Sequence, residues 1–283
     1  MYDFDSPTGF FSNFFFFFAC YISHRKRNLL MLIDDQQWKF RHTSGLADYF
    51  ILHPSLKQLD PSQHKVINRF HHCAVPERHS YNDYVKYITE FYVLNNDVKQ
   101  EIEKYTRPLP KKYSSIFVRW GDKLVSESQY IPCEIYMARL VKEGVKSGNL
   151  FIHSDDHQEV LKFKEYIQQN KLPYVVYSIT DERDNGGAIV HHSYKDRMRT
   201  PISTDKKSVD EMSPAEIRDH TIRMLAALEI MKKSKITITD YQSNVSRFMK
   251  LYFPTPVRSV LNVEPVNYDA PAVNPSFAFR LAV

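Results

Sequence analysis

One stretch constrains this chain more than any other. The β-branched and aromatic run Ser115-Ile116-Phe117-Val118 stops abruptly at Arg119-Trp120-Gly121-Asp122-Lys123. A short continuous apolar run reads as a strand buried on both faces. The design recurs twice. Leu150-Phe151-Ile152-His153 ends in Ser154-Asp155-Asp156, and Lys235-Ile236-Thr237-Ile238-Thr239-Asp240 leads into Tyr241-Gln242-Ser243-Asn244-Val245-Ser246-Arg247. In open α/β sheets, ligands bind beyond the carboxyl ends of the strands. These three strand ends are therefore the candidate site. Arg119 and Lys123 suit an anion, most simply a diphosphate. Lys111 and Lys112 fall at the opposite end of the first strand and solvate its entry loop.

The pattern around these runs predicts an α/β fold. Residues 10–24 read as an apolar helix and residues 29–33 as a strand, followed mostly by helices. Asp60-Pro61-Ser62-Gln63 carries a helix start, with aspartate as the cap and proline at the first position. Residues 80–94 and 97–105 read as two further helices. Arg107-Pro108-Leu109-Pro110 breaks the pattern, because proline does not continue a helix. The expected division is therefore 1–107 and 108–283. Beyond it, strands 115–118, 150–153, 174–177 and 236–238 alternate with helices starting near Pro132, around Val160, Phe163 and Ile167, at Ser213, and at Ser243. Repeated βα units imply a parallel, Rossmann-like sheet.

Composition excludes several classes. Glycine is scarce, at 7 of 283 residues, and no G-x-G-x-x-G or P-loop occurs. Net charge is +5 with pI near 8.9. The cations are dispersed, which disfavours nucleic acid and suits a phosphorylated small molecule. Cys20, Cys73 and Cys133 are far apart and odd in number, which argues against a disulfide framework or structural zinc and for a reducing compartment. The run Phe10–Ile22 is too short to span a bilayer, contains Ser12 and Asn13, and follows an acidic segment. It reads as a buried helix, and the protein is expected to be soluble and cytoplasmic. Aromatics at 14% suit stacking platforms for sugars.

The order V-R-W-G-D-K-x-x-x-E, then I-H-S-D-D, then T-D-Y-Q-S-N-V-S-R resembles the three short motifs of the fucosyltransferase superfamily, nearest to the core fucosyltransferases. Gly9-Phe10-Phe11-Ser12-Asn13 and Leu32-Ile33-Asp34-Asp35-Gln36-Gln37-Trp38-Lys39-Phe40 are similar to that family's first glycine loop and following strand. The resemblance is weak over residues 47–106 and 181–214. It implies the GT-B architecture, two Rossmann-like domains facing a cleft. The first would hold the acceptor and the second the nucleotide sugar. It also implies an inverting glycosyltransferase, independent of metal, that acts on an oligosaccharide or glycoprotein acceptor with no cofactor beyond its donor. Family members of animals and fungi carry an N-terminal anchor and stem. This chain resembles instead a short soluble version of the kind that large viruses or bacteria encode, with the glycan synthesis of large algal viruses as one setting. The alternative is a non-catalytic sugar- or nucleotide-binding protein.

The resemblance distributes roles. Arg119 and Ser243 fall to the pyrophosphate, with Lys123 beside them. Arginine offers a planar fork and lysine a point charge. Ser243 begins a helix, where backbone N–H groups attract anions; the competing role is a plain N-cap. Glu127 is the candidate base, with Asp122 in competition, although an aspartate beside Arg119 and Lys123 suits an ion pair. Ser154, Asp155, Asp156, Glu229, Tyr241 and Asn244 are candidate donor contacts. Gly9, Asn13, Trp38 and Tyr136 are candidate acceptor contacts. His191-His192 reads as a solvated loop. Two departures bear on the donor. The histidine expected before the motif's valine is Phe117, and the aspartate expected to hold guanine is Ala227, with Glu229 nearby. Both UDP-xylose and GDP-fucose are therefore candidate donors.

Overall fold

The computed structural model describes residues 2–4, 9–60, 79–119, 130–184, 212–241 and 243–261. They divide into two compact units. The first comprises Met1–Lys99 with Met212–Thr221; the second comprises Gln100–Glu211 with Ile222–Glu264. The fold class is α/β, with every strand pairing parallel.

The first unit has a three-stranded sheet of β1 (Tyr2–Asp3), β2 (Met31–Asp34) and β3 (Leu56–Gln58), in that order. Helix α1 (Phe10–Lys26) carries the phenylalanine run. Phe10, Phe14, Phe17 and Phe18 are buried, and Phe17, Phe18 and Tyr21 lie within ring contact of Phe91. Burying an aromatic ring removes 150–250 Å² from water, so the run is explained as core. No helix among the described residues is long and apolar enough to cross a membrane. Helix α2 (Tyr81–Phe91) starts in a capping box, Ser80 with Asp83, which satisfies two backbone donors at once. Helix α3 (Asn96–Thr106) ends just before the proline segment. The helix start at residues 60–63 falls almost wholly outside the described residues.

The second unit is a five-stranded sheet of β4 (Ser114–Val118), β5 (Gly148–Ser154), β6 (Tyr174–Tyr177), β7 (Thr237–Thr239) and β8 (Val257–Ser259). Its spatial order is β6-β5-β4-β7-β8. All five residues of β4 and all three of β7 are buried, as expected of central strands covered on both faces. The covering helices include α4 (Cys133–Lys142), α5 (His157–Gln169), α6 (Pro214–Lys232) and α7 (Asn244–Tyr252). Val160, Phe163 and Ile167 of α5 face the core, at the spacing the sequence predicts.

Two expectations need correction. Cys20 is disulfide-bonded, while Cys133 is free and buried. Spacing along the chain argued against a bridge because it does not reveal which distant cysteines the fold brings together. The first unit also holds more strand than its sequence suggests. β1 and β3 span two and three residues, too few to show a period.

Candidate functional site

From β4 the chain steps outward through β5 to β6. It then returns to the other side of β4 for β7 and β8. The direction of winding therefore reverses between β4 and β7. Such a switch point leaves a crevice at the carboxyl ends, because the two flanking loops diverge to opposite faces. Arg119 follows β4 and Ser243 follows β7, so the sequence's two principal anion-binding candidates flank this point.

Register explains the neighbour of Arg119. Val118 pairs with Ser154 across β4 and β5, which places the next residues, Arg119 and Asp155, side by side. Their side chains form an ion pair, 20% and 13% exposed. Partial withdrawal from water makes such a pair stronger than an exposed one. Asp156 has a different task. Its Oδ1 accepts the Gln158 N–H at 2.9 Å and caps α5, while its own N–H donates to Ser154 Oγ at 3.1 Å. Ser154 is buried and anchored by Thr180, whose Oγ1 accepts its N–H at 3.2 Å and donates to its carbonyl at 3.1 Å.

On the other side of the switch point, Ser243 is the N-cap of α7. Its Oγ accepts the Ser246 N–H at 3.1 Å and lies 2.9 Å from Ser246 Oγ. Ser246 Oγ in turn lies 2.8 Å from Thr239 Oγ1 at the end of β7. This hydroxyl chain fixes the helix start against the strand. Asn244 Oδ1 accepts from Arg247 Nη1 at 3.1 Å, which holds a largely buried guanidinium in the first turn. The Tyr241 hydroxyl donates to the Val257 carbonyl at 2.7 Å, which ties the loop to β8.

Other candidates fall elsewhere. Asp122, Lys123 and Glu127 lie outside the described residues, as do His191 and His192. Tyr136 is 1% exposed and packs edge-on against Phe163, with ring centroids 5.8 Å apart. Burial pushes its hydroxyl well above the usual range. It faces the core of the second unit instead of an acceptor. Trp38 is likewise buried, among Phe4, Phe10, Phe40 and Tyr49. Gly9 caps α1, and its carbonyl accepts from the N–H of the fully buried Asn13 at 3.0 Å. Glu229 accepts from the Tyr252 hydroxyl at 3.1 Å. Tyr252 ends α7, roughly 12 Å along the axis from its start at 1.5 Å per residue. The Glu229 carboxylate is therefore engaged at the end of α7 opposite Ser243, and it leaves the list of donor contacts.

The sequence reading missed Arg223. It is 5% exposed on α6. It pairs with Asp184, lies 3.3 Å from Asp181, and donates to the Ile179 carbonyl at 3.1 Å. Burial raises the Asp184 carboxyl, against the pull of Arg223; the Arg183 hydrogen bond lowers the Asp181 carboxyl to about 2. An arginine set between Ile222 and Met224 in the apolar half of the helix is the signal the sequence carries for this cluster. Among the described residues, no group of three or more His, Cys, Asp or Glu side chains is placed to hold a metal.

No protein-family model matches the chain, and no curated protein matches it in sequence. Its fold is similar to that of known fucosyltransferases of the GT-B class. NodZ α-1,6-fucosyltransferase, solved after soaking with GDP-fucose, aligns over 89% of this chain and 92% of its own, with TM-score 0.56 and 10% identity. NodZ from Bradyrhizobium gives the same coverage with TM-score 0.53. An Arabidopsis thaliana FUT1 variant in complex with GDP aligns over 93% of this chain and 70% of its own, with TM-score 0.56 and 8% identity.

Proposed function

We propose that the chain is an inverting glycosyltransferase that moves a sugar from a nucleotide donor to a hydroxyl of an oligosaccharide. The observation that carries this reading is the pairing of Arg119 with Asp155 on one side of the switch point, with the N-terminus of α7 on the other. The fold shared with fucosyltransferases supports it. In this reading the second unit holds the nucleotide sugar and the first unit serves the acceptor.

A guanidinium has five N–H donors. Holding Asp155 and binding a phosphate oxygen are therefore compatible, and Asp155 fixes the orientation of the fork. Glu127 accepts the proton of the acceptor hydroxyl while that oxygen attacks the anomeric carbon. The bond from that carbon to the diphosphate breaks, and its electron pair leaves with the diphosphate. Arg119, Lys123 and the positive N-terminal end of α7 stabilise that charge, the task a divalent cation performs elsewhere. Attack opposite the leaving group inverts the configuration.

The base pocket is read as accepting uracil at least as well as guanine. Guanine's N1–H and N2–H₂ donors want a carboxylate. Ala227 is fully buried in α6 and offers none, and Glu229 is committed to Tyr252. Unpaired buried donors cost about 1–3 kcal/mol. UDP-xylose is thus a candidate beside GDP-fucose, and neither sugar needs a hydroxymethyl pocket. The test is donor turnover with a panel of UDP- and GDP-sugars in the presence of EDTA. Turnover with EDTA present, led by a UDP-sugar, is expected. Activity that disappears with EDTA and returns with manganese overturns the metal-independent mechanism, and a clear GDP preference restores fucose.

A further inference from the structure

We propose that Arg223 is a positioning residue for the donor site, acting through the Asp181–Asp184 turn on Asp155 and hence on Arg119. The proposal rests on the reading of Arg119 as a diphosphate ligand.

The turn follows β6, the outermost strand on its side of the sheet. It is closed on itself, since the Asp184 carboxylate accepts the Asp181 N–H at 3.0 Å and the Asp184 N–H donates to the Asp181 carbonyl at 2.8 Å. It then grips its neighbours in two places. Thr180 holds both backbone polar groups of Ser154. The Asp184 carbonyl accepts the N–H of His157, the first residue of α5, at 2.7 Å. Ser154 and His157 bracket Asp155, so the turn fixes both sides of the residue that holds Arg119.

Arg223 fastens this turn to α6 through a buried ion pair with Asp184 and a hydrogen bond to Ile179. Its side chain is only 7% exposed. Removing one member of a buried pair leaves the other charge uncompensated, so the clasp holds firmly or not at all. Neutral hydroxyls suffice to fix a strand end elsewhere in this unit, as Thr239 and Ser246 do. A buried ion pair is used instead beside the segment that holds Asp155, the ion-pair partner of Arg119.

The test uses the full chain, with UDP and GDP as probes in calorimetry. Arg223→Met is expected to weaken nucleotide binding about tenfold, a coupling of about 1.4 kcal/mol. Donor KM rises to match while kcat stays within about twofold. Arg223→Lys recovers most of the loss. In an Asp155→Asn background Arg223→Met adds less than about twofold, because the route to Arg119 is already cut. Should Arg223→Met fail to fold, Asp184→Asn, nearly isosteric, is read in the same way. Unchanged affinity in these variants overturns the proposal, as does an equal fold-loss in both backgrounds. A parent chain that binds neither nucleotide defeats the reading of Arg119 itself and is seen before any variant is made.

Discussion

Each unit of this molecule ends a strand of its parallel sheet in adjacent aspartates, Asp34-Asp35 at the end of β2 and Asp155-Asp156 just after β5, and the two pairs are used differently. In both, one member caps its own loop. Asp34 Oδ1 accepts the Gln36 N–H at 3.2 Å, and Asp156 Oδ1 accepts the Gln158 N–H at 2.9 Å. The other members part company. Asp35 is 1% exposed, and its Oδ2 accepts from the Leu46 N–H and from Gln58 Nε2, both at 2.8 Å. Gly45, at φ +67, lies so close that an added Cβ would overlap the Asp35 carboxylate. This end is closed by backbone and a neutral amide. Asp155 instead reaches an arginine just past the end of the neighbouring strand. A carboxylate satisfied by backbone secures a loop, whereas one that pairs with a cation fixes where that cation sits, which in the proposed mechanism is against an anion. The sequence pattern of the two pairs is nearly the same; only their partners separate them.

The largest effect expected at the charged end is catalytic. Glu127→Gln should keep nucleotide binding and lower transfer by about 10²–10⁴, the span of general-base contributions. Normal transfer by this variant removes Glu127 from the mechanism and turns attention to Asp122. Loss of nucleotide binding along with transfer points to a positioning defect.

At the closed end the expected effect is on stability alone. Gly45→Ala puts a side chain where the backbone is left-handed and the Asp35 carboxylate already sits. We expect a destabilisation of about 2–3 kcal/mol, or a Tm lower by roughly 5–10 °C. Nucleotide affinity measured well below that transition should match the parent. A large change in Kd for Gly45→Ala would mean that the two aspartate pairs are not as different as their partners suggest.

The smallest effect concerns acid. The Arg183 hydrogen bond lowers the Asp181 carboxyl from 3.8 to about 2. A lowered carboxyl stabilises the fold above its unfolded value, and the contribution is lost as pH falls through the folded one. The window is therefore pH 4 down to about 2. The Asp181 side chain is 45% exposed, so solvent screens much of the effect. Asp181→Asn should lower the melting temperature slightly at neutral pH, and the difference from the parent should vanish as the pH falls through that window. A large loss at pH 7 would show that the carboxylate carries more of the clasp than its exposure allows.

Most of the second unit was legible in sequence because its strands are continuous apolar runs and its helices keep a clear period. β4 was read to within a residue, and the charged ends were found from the abruptness with which the apolar runs stop. The short strand β8 left no such trace. Trp38 and Tyr136 were taken for sugar contacts because aromatic residues serve both sugars and cores, and only burial separates the two uses. Glu229 was drawn to the base by its distance along the chain from Ser243, whereas Tyr252 holds it at the other end of α7. The clasp was invisible, because Arg223 and Asp184 are 39 residues apart and no local pattern joins them. The disulfide of Cys20 was hidden for the same reason.

In the proposed mechanism the carboxyl ends of β4 and β7 form a nucleoside diphosphate site through Arg119. Calorimetric titration of UDP and GDP into the parent chain and into Arg119→Ala tests it most directly. A charge-assisted hydrogen bond is worth about 1.5–3 kcal/mol, so the variant should bind roughly ten- to a hundred-fold more weakly while its Tm in the absence of nucleotide stays close to the parent's. Binding of neither nucleotide by the parent, or equal binding by both proteins, would contradict it.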